Sequence, residues 1–426
     1  MRLPILTFED VAKQQLCCGC GACAAADPDR YEMRDAPAFG RRPFSKADAD
    51  PTNGQADPDL DLCPGVRLEH TFDESDPAYD ADLRPAWGPV LEVWEGYAAD
   101  PDIRFAGSSG GAATALALHC LEREGMHGVL HTGPRDDKPY LNTTVLSSTR
   151  DELLARTGSR YAPASPCEGL PWIEAAPAPC VFIGKPCDAA ATAALARKRP
   201  ALADKLGLNI AFFCAGTPST NATRMLLKKV GVEDPDSIKS LRYRGNGWPG
   251  MWTVRWTDTD DNAHEKQLTY AESWDFLQRH RQWRCYICPD HTGEFADIAV
   301  GDPWYRPVEA GEPGKSLIVA RTERGRRVLH AAAEAGAVVL ETRDASLLPR
   351  SQENLLSTRG RLFGQLLALR LAGAPRPDYQ GFPTRRFWNA HLDAKSKLQS
   401  VIGTLKRIKR KRLKAEADVF ADGGAA

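Results

Sequence analysis

The chain is organised around the stretch Cys17-Cys18-Gly19-Cys20-Gly21-Ala22-Cys23. The cysteines at three-residue steps are Cys17, Cys20 and Cys23. A tight loop with this period directs three thiolates at one small inorganic core, and the two glycines permit the left-handed turns that such a loop needs. The spacing predicts ligands of a [4Fe–4S] cluster and leaves Cys18 without an assigned ligand role.

A cluster of this kind needs a fourth thiolate from elsewhere in the chain. In two-cluster ferredoxin segments the run continues to a Cys-Pro pair, but here that position holds Asp27-Pro28. Cys63, which is itself followed by proline, is the predicted fourth ligand. The alternatives are structural zinc, which usually takes two separated Cys pairs, and a disulfide, which requires an exported chain.

Length and composition limit the functions open to the chain. Its 426 residues allow two or three domains, and its net charge of −1 predicts no nucleic-acid partner. The first 16 residues lack the apolar core of a signal peptide, and no run reaches the roughly 18–20 apolar residues of a membrane span. Twelve cysteines without an export signal predict metal ligands and buried thiols in the reducing cytoplasm.

Changes in composition divide the chain into three segments. Residues 1–86 are rich in loops and acids, which predicts a small ferredoxin-like [4Fe–4S] module. In 87–345 strand and helix patterns alternate, which predicts an α/β fold with a largely parallel or mixed sheet, helices on both faces, and a division near residue 170. Residues 346–426 are predicted to be a helical tail whose basic helix, at 395–414, provides the only possible membrane contact. Docking on an acidic partner is another role for this helix, and we favour packing on its own domain.

Four more cysteines lie at positions that are typical of functional sites. Cys187 and Cys214 each follow a predicted strand, at the edge where α/β sheets form their sites. Cys285 and Cys288 form a C-x-x-C pair, which serves zinc, redox or iron–sulfur chemistry. The four supply enough thiolates for a second [4Fe–4S] cluster, but Cys187 and Cys214 are as readily explained as buried core residues. Core packing is predicted for Cys18, Cys120, Cys167 and Cys180.

A glycine-rich turn, Gly107-Ser108-Ser109-Gly110-Gly111, precedes a predicted helix at 112–124. Its free N–H groups and the helix dipole would favour a phosphate. The alternative is a serine N-cap with a glycine turn, because the run matches neither common nucleotide-binding motif. Candidates for the same ligand follow in Gly158-Ser159-Arg160-Tyr161 and in Arg242, Arg244 and Trp248.

Together these motifs resemble the beta-subunit family of coenzyme F420-reducing hydrogenases and formate dehydrogenases. That family is similar to the ferredoxin-dependent 7-hydroxymethyl chlorophyll a reductases and divinyl chlorophyllide reductases. The resemblance covers roughly residues 15–345. It rests on the cysteine run and on Ser109-Gly110-Gly111, Gly184-Lys185-Pro186-Cys187, Phe213-Cys214, Cys285-Tyr286-Ile287-Cys288 and Ala296-Asp297-Ile298-Ala299-Val300-Gly301-Asp302. Lys185 departs from the more usual threonine.

The resemblance implies an FAD- and iron–sulfur-dependent oxidoreductase with FAD in the α/β body and two [4Fe–4S] clusters. It implies one-electron exchange with ferredoxin or a similar carrier, coupled to two-electron chemistry on a small-molecule substrate that it does not identify. The alternatives are an electron-transfer subunit without its own substrate and a non-redox protein with structural zinc.

The resemblance also implies a set of site residues. The predicted cluster ligands are Cys17, Cys20, Cys23, Cys63, Cys187, Cys214, Cys285 and Cys288. The predicted flavin contacts are Ser108, Ser109, Gly110, Gly111, Thr114, Gly158, Ser159, Tyr161, Lys185 and Arg244. No catalytic acid is assigned, although Lys185, His119 and Asp302 lie near the motifs.

Overall fold

A mixed sheet of eight strands forms the centre of the chain in the computed structural model, which describes residues 4–46, 55–309 and 311–421. The strands of these residues are β1 Tyr31–Ala36, β2 Gly40–Ser45, β3 Arg67–Glu69, β4 Glu92–Ala98, β5 Val129–Pro134, β6 Asn142–Ser147, β7 Cys180–Gly184, β8 Leu206–Phe212, β9 Ile238–Arg242, β10 Met251–Thr257, β11 Ala263–Thr269, β12 Ile298–Gly301, β13 Ser316–Ala320, β14 Val338–Arg343 and β15 Asp378–Gln380. Their helices are α1 Phe8–Lys13, α2 Ala22–Ala26, α3 Arg84–Trp87, α4 Pro101–Ala106, α5 Ala112–Glu122, α6 Arg150–Leu154, α7 Leu170–Glu174, α8 Pro186–Lys198, α9 Pro200–Lys205, α10 Thr220–Lys229, α11 Tyr270–Gln278, α12 Trp283–Tyr286, α13 Glu323–Glu334, α14 Leu347–Ser351, α15 Leu355–Leu371, α16 Thr384–His391 and α17 Ala394–Arg410.

The central sheet has the strand order β14-β4-β13-β12-β8-β7-β5-β6. The pairs β12–β8, β8–β7 and β7–β5 are parallel, and the outer pairs are antiparallel. All five residues of β7, Cys-Val-Phe-Ile-Gly, are buried, which is typical of a strand covered on both faces. The predicted α/β class with a mixed sheet is therefore confirmed.

Alternate side chains of the parallel strands contribute to two hydrophobic cores. Val181 and Ile183 belong to a core that includes residues of α5 and α13. Phe182 belongs to a second core, which includes residues of α8. Because the alternation divides these apolar side chains between the two faces, helices cover both sides of the sheet, as predicted.

The second core also contains described residues from near both ends of the chain. The cysteine run contributes to it together with Leu362 and Leu369 of α15 and Ile408 of α17. Strand β15 near the C-terminus pairs in parallel with β3 near the N-terminus. The segment boundaries at residues 86 and 345 stay predictions, but one hydrophobic core crosses both of them.

Helix α17 packs on α15 through a face that is largely polar. Ser400, Thr404 and Ile408 are its buried residues. Leu398, Ile402 and Leu405 are 61%, 41% and 41% exposed, respectively. The helix therefore lies on α15 and leaves an apolar stripe exposed to solvent. None of the helices in the described ranges combines the length and apolarity needed to cross a membrane.

Strand β11 shows where the sequence pattern fails. Its seven residues, Ala-His-Glu-Lys-Gln-Leu-Thr, are almost all exposed, so they carry no apolar alternation that would predict a strand. The strand is defined instead by antiparallel pairing with β10, in which Met251 lies opposite Thr269 and Thr257 lies opposite Ala263. Cross-strand hydrogen bonds of this kind depend on a partner that a single segment does not reveal.

Candidate functional site

The cysteine run lines a small cavity between α1 and α2. The cysteines around it are Cys17, Cys18, Cys20, Cys23 and Cys63. Gly19 and Gly21 have φ of +76° and +90°, which confirms the left-handed turns expected of them. A side chain at either glycine would lie 2.8 Å from backbone atoms of neighbouring segments, so only glycine allows the loop to take this shape.

This donor set fits an iron–sulfur cluster in its chemistry. Soft thiolates are the ligands of such clusters, and the Gly19 N–H donates to Cys17 Sγ at 3.3 Å, a contact typical of their surroundings. The cavity that these thiols line is small, with a volume of about 10 Å³. Within the described ranges no three His, Cys, Asp or Glu side chains converge tightly enough to hold a metal ion as they stand.

A second group of cysteines forms where β8 and α12 meet. The Gly216 N–H donates to Cys214 Sγ and the Thr217 N–H donates to Cys285 Sγ, both at 3.3 Å. Burial, followed by the charge of Cys285, raises the pKa of the Cys214 thiol to about 12. Burial likewise raises the pKa of Cys288 to about 11. Three of the four ligands predicted for the second cluster therefore lie together.

The fourth predicted ligand, Cys187, lies in the first turn of α8. The neighbouring thiols, Cys187 first and then Cys20, lower the pKa of the Cys18 thiol well below its usual range. Cys18 therefore lies between the two groups of cysteines rather than in a separate part of the core. Beside Cys187, Lys185 Nζ contacts Asp188 Oδ2 at 2.6 Å, so Lys185 belongs to this site and not to the glycine-rich turn.

Arg284 joins the two groups of cysteines. Its side chain is buried, and Nη2 donates to the carbonyl of Pro64 at 2.8 Å, directly after Cys63. Nη1 donates to the carbonyl of Ile287 at 3.5 Å, directly before Cys288. Burial raises the pKa of both Cys63 and Cys288, and the positive charge of Arg284 opposes this effect. A single buried cation thus stabilises the thiolate form in both groups.

The motifs predicted to contact the flavin converge on Arg244. This buried arginine contacts both carboxylate oxygens of Asp302 at 2.8 Å. Its Nη2 also donates to the Ser108 carbonyl at 2.6 Å, and its Nη1 donates to the Tyr161 hydroxyl at 3.3 Å. The Ser159 N–H donates to Ser108 Oγ at 2.7 Å. The fold therefore brings together three motifs that are far apart in the sequence.

Three aromatic rings complete this site, and the sequence motifs predict only one of them, Trp248, as a ligand contact. Tyr270 and Trp304 stack with ring centroids 5.9 Å apart and planes 6° apart. Trp248 lies on Trp304 at 5.7 Å, and the Arg244 guanidinium lies 4.6 Å from the centre of the Tyr270 ring. Flat apolar surface beside a buried ion pair suits a planar aromatic ligand. The nearest sequence motif to these rings is the segment 296–302, because Trp304 follows its last residue, Asp302, by two positions.

The glycine-rich turn is held by packing. Gly110 has φ +72°, and its carbonyl accepts a hydrogen bond from the Ala98 N–H at 2.7 Å. A Cβ atom at Gly110 would lie 2.8 Å from the carbonyl oxygen of Gly314. Thr114, a predicted contact, is partly buried in the first turn of α5. The turn thus has a structural reason for its glycines that is independent of any ligand.

The three residues that lie near the motifs and could serve as a catalytic acid have different surroundings. Lys185 and Asp302 are engaged in the ion pairs described above. His119 is buried in α5, with Nε2 3.5 Å from a carboxylate oxygen of Glu124. None of these contacts by itself identifies a proton donor.

Comparison with known families matches more than half of the chain. Residues 93–170 match the N-terminal family model of the coenzyme F420 hydrogenase/dehydrogenase beta subunit. Residues 179–346 match the model that describes the C-terminus of the same beta subunit. The two matches are consecutive and span β4 to β14.

Individual relatives agree with these matches. The coenzyme F420 hydrogenase subunit beta of Methanothermobacter thermautotrophicus is 24% identical over 273 residues, which are 60% of this chain and 85% of the relative. The F420-dependent formate dehydrogenase 1 subunit beta of Methanococcus maripaludis is 27% identical over 256 residues, 58% of this chain and 60% of the relative. A chain of the F420-reducing [NiFe] hydrogenase complex from Methanosarcina barkeri has a TM-score of 0.48 and 21% identity, over 64% of this chain and 90% of that one.

Two glycine-to-alanine substitutions distinguish the stability lost through close packing at the turn from the stability lost through backbone strain. We expect Gly125→Ala, at φ +69° with open space around it, to lower the free energy of unfolding by about 1 kcal/mol, because only the left-handed backbone is penalised. We expect Gly110→Ala, at φ +72°, to cost about 2 kcal/mol more because its Cβ overlaps the 314–315 backbone. Thermal denaturation of both variants measures the difference, and equal losses would show that the close approach is absent.

Alanine substitutions of Cys63 and Cys18 test which of these two cysteines is a cluster ligand at the first cavity. We expect Cys63→Ala to lose or convert the first cluster, because the three cysteines of the run cannot complete four thiolate ligands. We expect Cys18→Ala to keep full iron content. Iron analysis of anaerobically purified variants measures both. Loss of iron from Cys18→Ala but not from Cys63→Ala would show that Cys18 is the ligand.

Proposed function

Because the chain belongs to the coenzyme F420 hydrogenase/dehydrogenase beta-subunit family, we propose that it is an iron–sulfur flavoprotein oxidoreductase with two [4Fe–4S] clusters and one FAD. Family membership by itself supports a redox role, and the cofactors are the further step. The proposed reaction joins one-electron exchange with a carrier protein to two-electron reduction or oxidation of a small molecule. Bound flavin exchanges two electrons and clusters pass one at a time, which is the chemistry that this coupling needs.

The observation that carries the proposal is the adjacency of two groups of cysteines, the first buried and the second partly buried. The first would hold its cluster through Cys17, Cys20, Cys23 and Cys63, and the second through Cys187, Cys214, Cys285 and Cys288. The side chain of Arg284 reaches both groups, because it donates to the carbonyl of Pro64 beside Cys63 and to that of Ile287 beside Cys288. Two centres this close are suited to passing electrons from one to the other.

The residues around the cysteines would set the electrostatics of the clusters. Arg284 places a positive charge beside thiols of both groups. The N–H groups of Gly19, Gly216 and Thr217 donate to cysteine sulfur atoms. Each of these contacts favours added negative charge and would therefore raise the reduction potential of a bound cluster.

The flavin is proposed to lie beside Arg244 and the aromatic rings of Trp248, Tyr270 and Trp304. Arg244 would position the loops that surround it through its bonds to Ser108 and Tyr161. The rings would exclude water from one side of the ligand. These contacts support a flat cofactor in the α/β body but do not identify the substrate.

Cofactor content tests the proposal directly. Anaerobically purified protein is expected to carry about eight irons and one FAD per chain, from eight thiolate ligands in two clusters. Iron analysis and flavin release measure both numbers. About four irons would remove one cluster from the proposal, and colourless protein containing zinc would overturn it. Reduction by a carrier without turnover of any two-electron acceptor would favour an electron-transfer subunit.

A basic surface near the cysteines suggests where the carrier docks. Residues 394–414 contain nine lysines and arginines and no acidic residue. Arg407 lies 5.7 Å from the centre of the Tyr286 ring, between Cys285 and Cys288 in sequence. The carbonyl of Lys411 accepts a hydrogen bond from Gln15, two residues before Cys17. An acidic one-electron carrier such as ferredoxin would meet complementary charge close to both groups.

Charge reversal on this surface tests the docking site. We expect the triple variant Lys406→Glu, Lys409→Glu, Arg410→Glu to slow reduction by ferredoxin about tenfold or more at low salt, because complementary charge steers association. The control reverses Lys228, Arg326 and Arg327 on α10 and α13 and should change the rate by less than about twofold. Stopped-flow measurements at increasing salt give the rates.

The exposed apolar stripe of α17 makes a membrane surface the rival for this helix. Equal rates in the two triple variants would remove the carrier site. If the first variant alone then lost binding to vesicles of anionic lipid, the basic helix would instead be a membrane contact.

A further inference from the structure

A cleft separate from the cysteine groups opens between the β5–β6 turn, the segment after α6, and the small sheet β9–β10–β11. Its volume is about 550 Å³, within the range of small-molecule sites. The basic residues that line it are Arg135, Arg156, Arg160, Lys239, Arg242 and Arg255. Asp136 is the one acidic side chain in the lining. The cleft is therefore strongly positive.

Two of these arginines are already neutralised. Arg135 Nη2 contacts a carboxylate oxygen of Asp137 at 2.5 Å. Arg255 Nε contacts Glu265 at 2.5 Å and is well exposed. Their charges are cancelled close by, so they do not account for the character of the cleft.

Arg156, Arg160 and Arg242 differ, because none of them forms an ion pair with any residue that the structure describes. Arg160 donates only to neutral oxygens, including the side-chain oxygen of Asn142 at 2.7 Å. Arg242 donates to the carbonyls of Thr157 at 3.1 Å and Ala106 at 2.8 Å. The Nε atoms of Arg156 and Arg242 are buried without a hydrogen-bond partner.

Positive charge withdrawn from water without a counterion is costly, and a bound anion would offset that cost. Burial lowers the pKa of Arg160 and of Arg242, which agrees with charges that lack compensation. Gly158 assists the clustering, since a Cβ atom there would lie 3.4 Å from Arg242 Cζ. Its φ of +121° is one that glycine adopts readily.

We propose that this cleft binds the phosphate or carboxylate groups of a small anionic ligand through Arg156, Arg160 and Arg242. Guanidinium groups bind both kinds of anion through paired, charge-assisted hydrogen bonds. The inference rests on the proposed function in one respect, because the anion has two possible sources. It belongs either to the pyrophosphate of FAD or to an acidic redox substrate, and the same residues would recognise both.

Titration calorimetry with inorganic pyrophosphate tests the cleft in the full-length protein, both FAD-loaded and FAD-stripped. We expect Arg156→Gln and Arg242→Gln each to weaken pyrophosphate binding about tenfold, the usual scale for losing a charge-assisted contact. The matched control is Arg255→Gln, which changes a lining arginine already paired with Glu265 and should change affinity by less than about twofold. Circular dichroism establishes folding. If Arg242→Gln does not fold, Arg156→Gln decides, because its side chain donates no hydrogen bond to the residues described.

The two protein forms separate the sources of the anion. Binding that FAD competes away, and that is absent from FAD-loaded protein, assigns the cleft to the flavin pyrophosphate. Binding that persists in FAD-loaded protein assigns it to an acidic substrate. No binding to either form, or equal binding by wild type and both arginine variants, overturns the proposal. Protein that takes up no flavin but binds pyrophosphate through these arginines would refute the flavoprotein function and leave the anion site standing.

Discussion

A buried positive charge shared by two groups of cysteines is the constraint on which the rest of this structure depends. Burial raises the pKa of thiols in both groups, which opposes the thiolate form that metal ligands require. Arg284 opposes that effect from its place between Pro64 and Ile287. Arg42 contributes from β2, where its charge lowers the pKa of Cys17, which burial otherwise raises. Cations from separate parts of the chain therefore favour the thiolate form in both groups.

Segments from near both ends of the described chain meet at this site. Arg42 donates to the Gln282 side chain at 2.7 Å, and the Tyr379 hydroxyl donates to the Ile287 carbonyl at 2.7 Å. The parallel pairing of β3 with β15 reinforces the same junction. Helices α15 and α17 complete the core around it. Occupation of the cysteine groups by metal would thus stabilise the N-terminal segment, the body and the C-terminal helices together.

Two kinds of arginine site occur outside the cysteine groups, and their electrostatics indicate different roles. Arg244 has a carboxylate partner in Asp302 and further bonds to backbone and hydroxyl oxygens, so its charge and its donors are largely satisfied. It is suited to hold loops in position around a ligand. Arg156 and Arg242 have no such partner and retain unpaired buried donors. Unsatisfied cations are better suited to contact a ligand directly.

The sequence alone determined the α/β class and the buried strands, because continuous apolar runs are local properties of the chain, and its cysteine spacing predicts the types of ligand. The triplet from Cys17 to Cys23 is an example, since its glycines adopt the left-handed turns that the spacing requires. Only the tertiary structure decided that Cys18 lies between two groups of cysteines and that Lys185 faces Cys187. It likewise brought Arg156 and Arg242 to one cleft. These contacts join residues that lie far apart in the sequence, and they depend on the packing of one core and on shared buried charge. No local sequence pattern shows which distant charged side chain will contact a given residue.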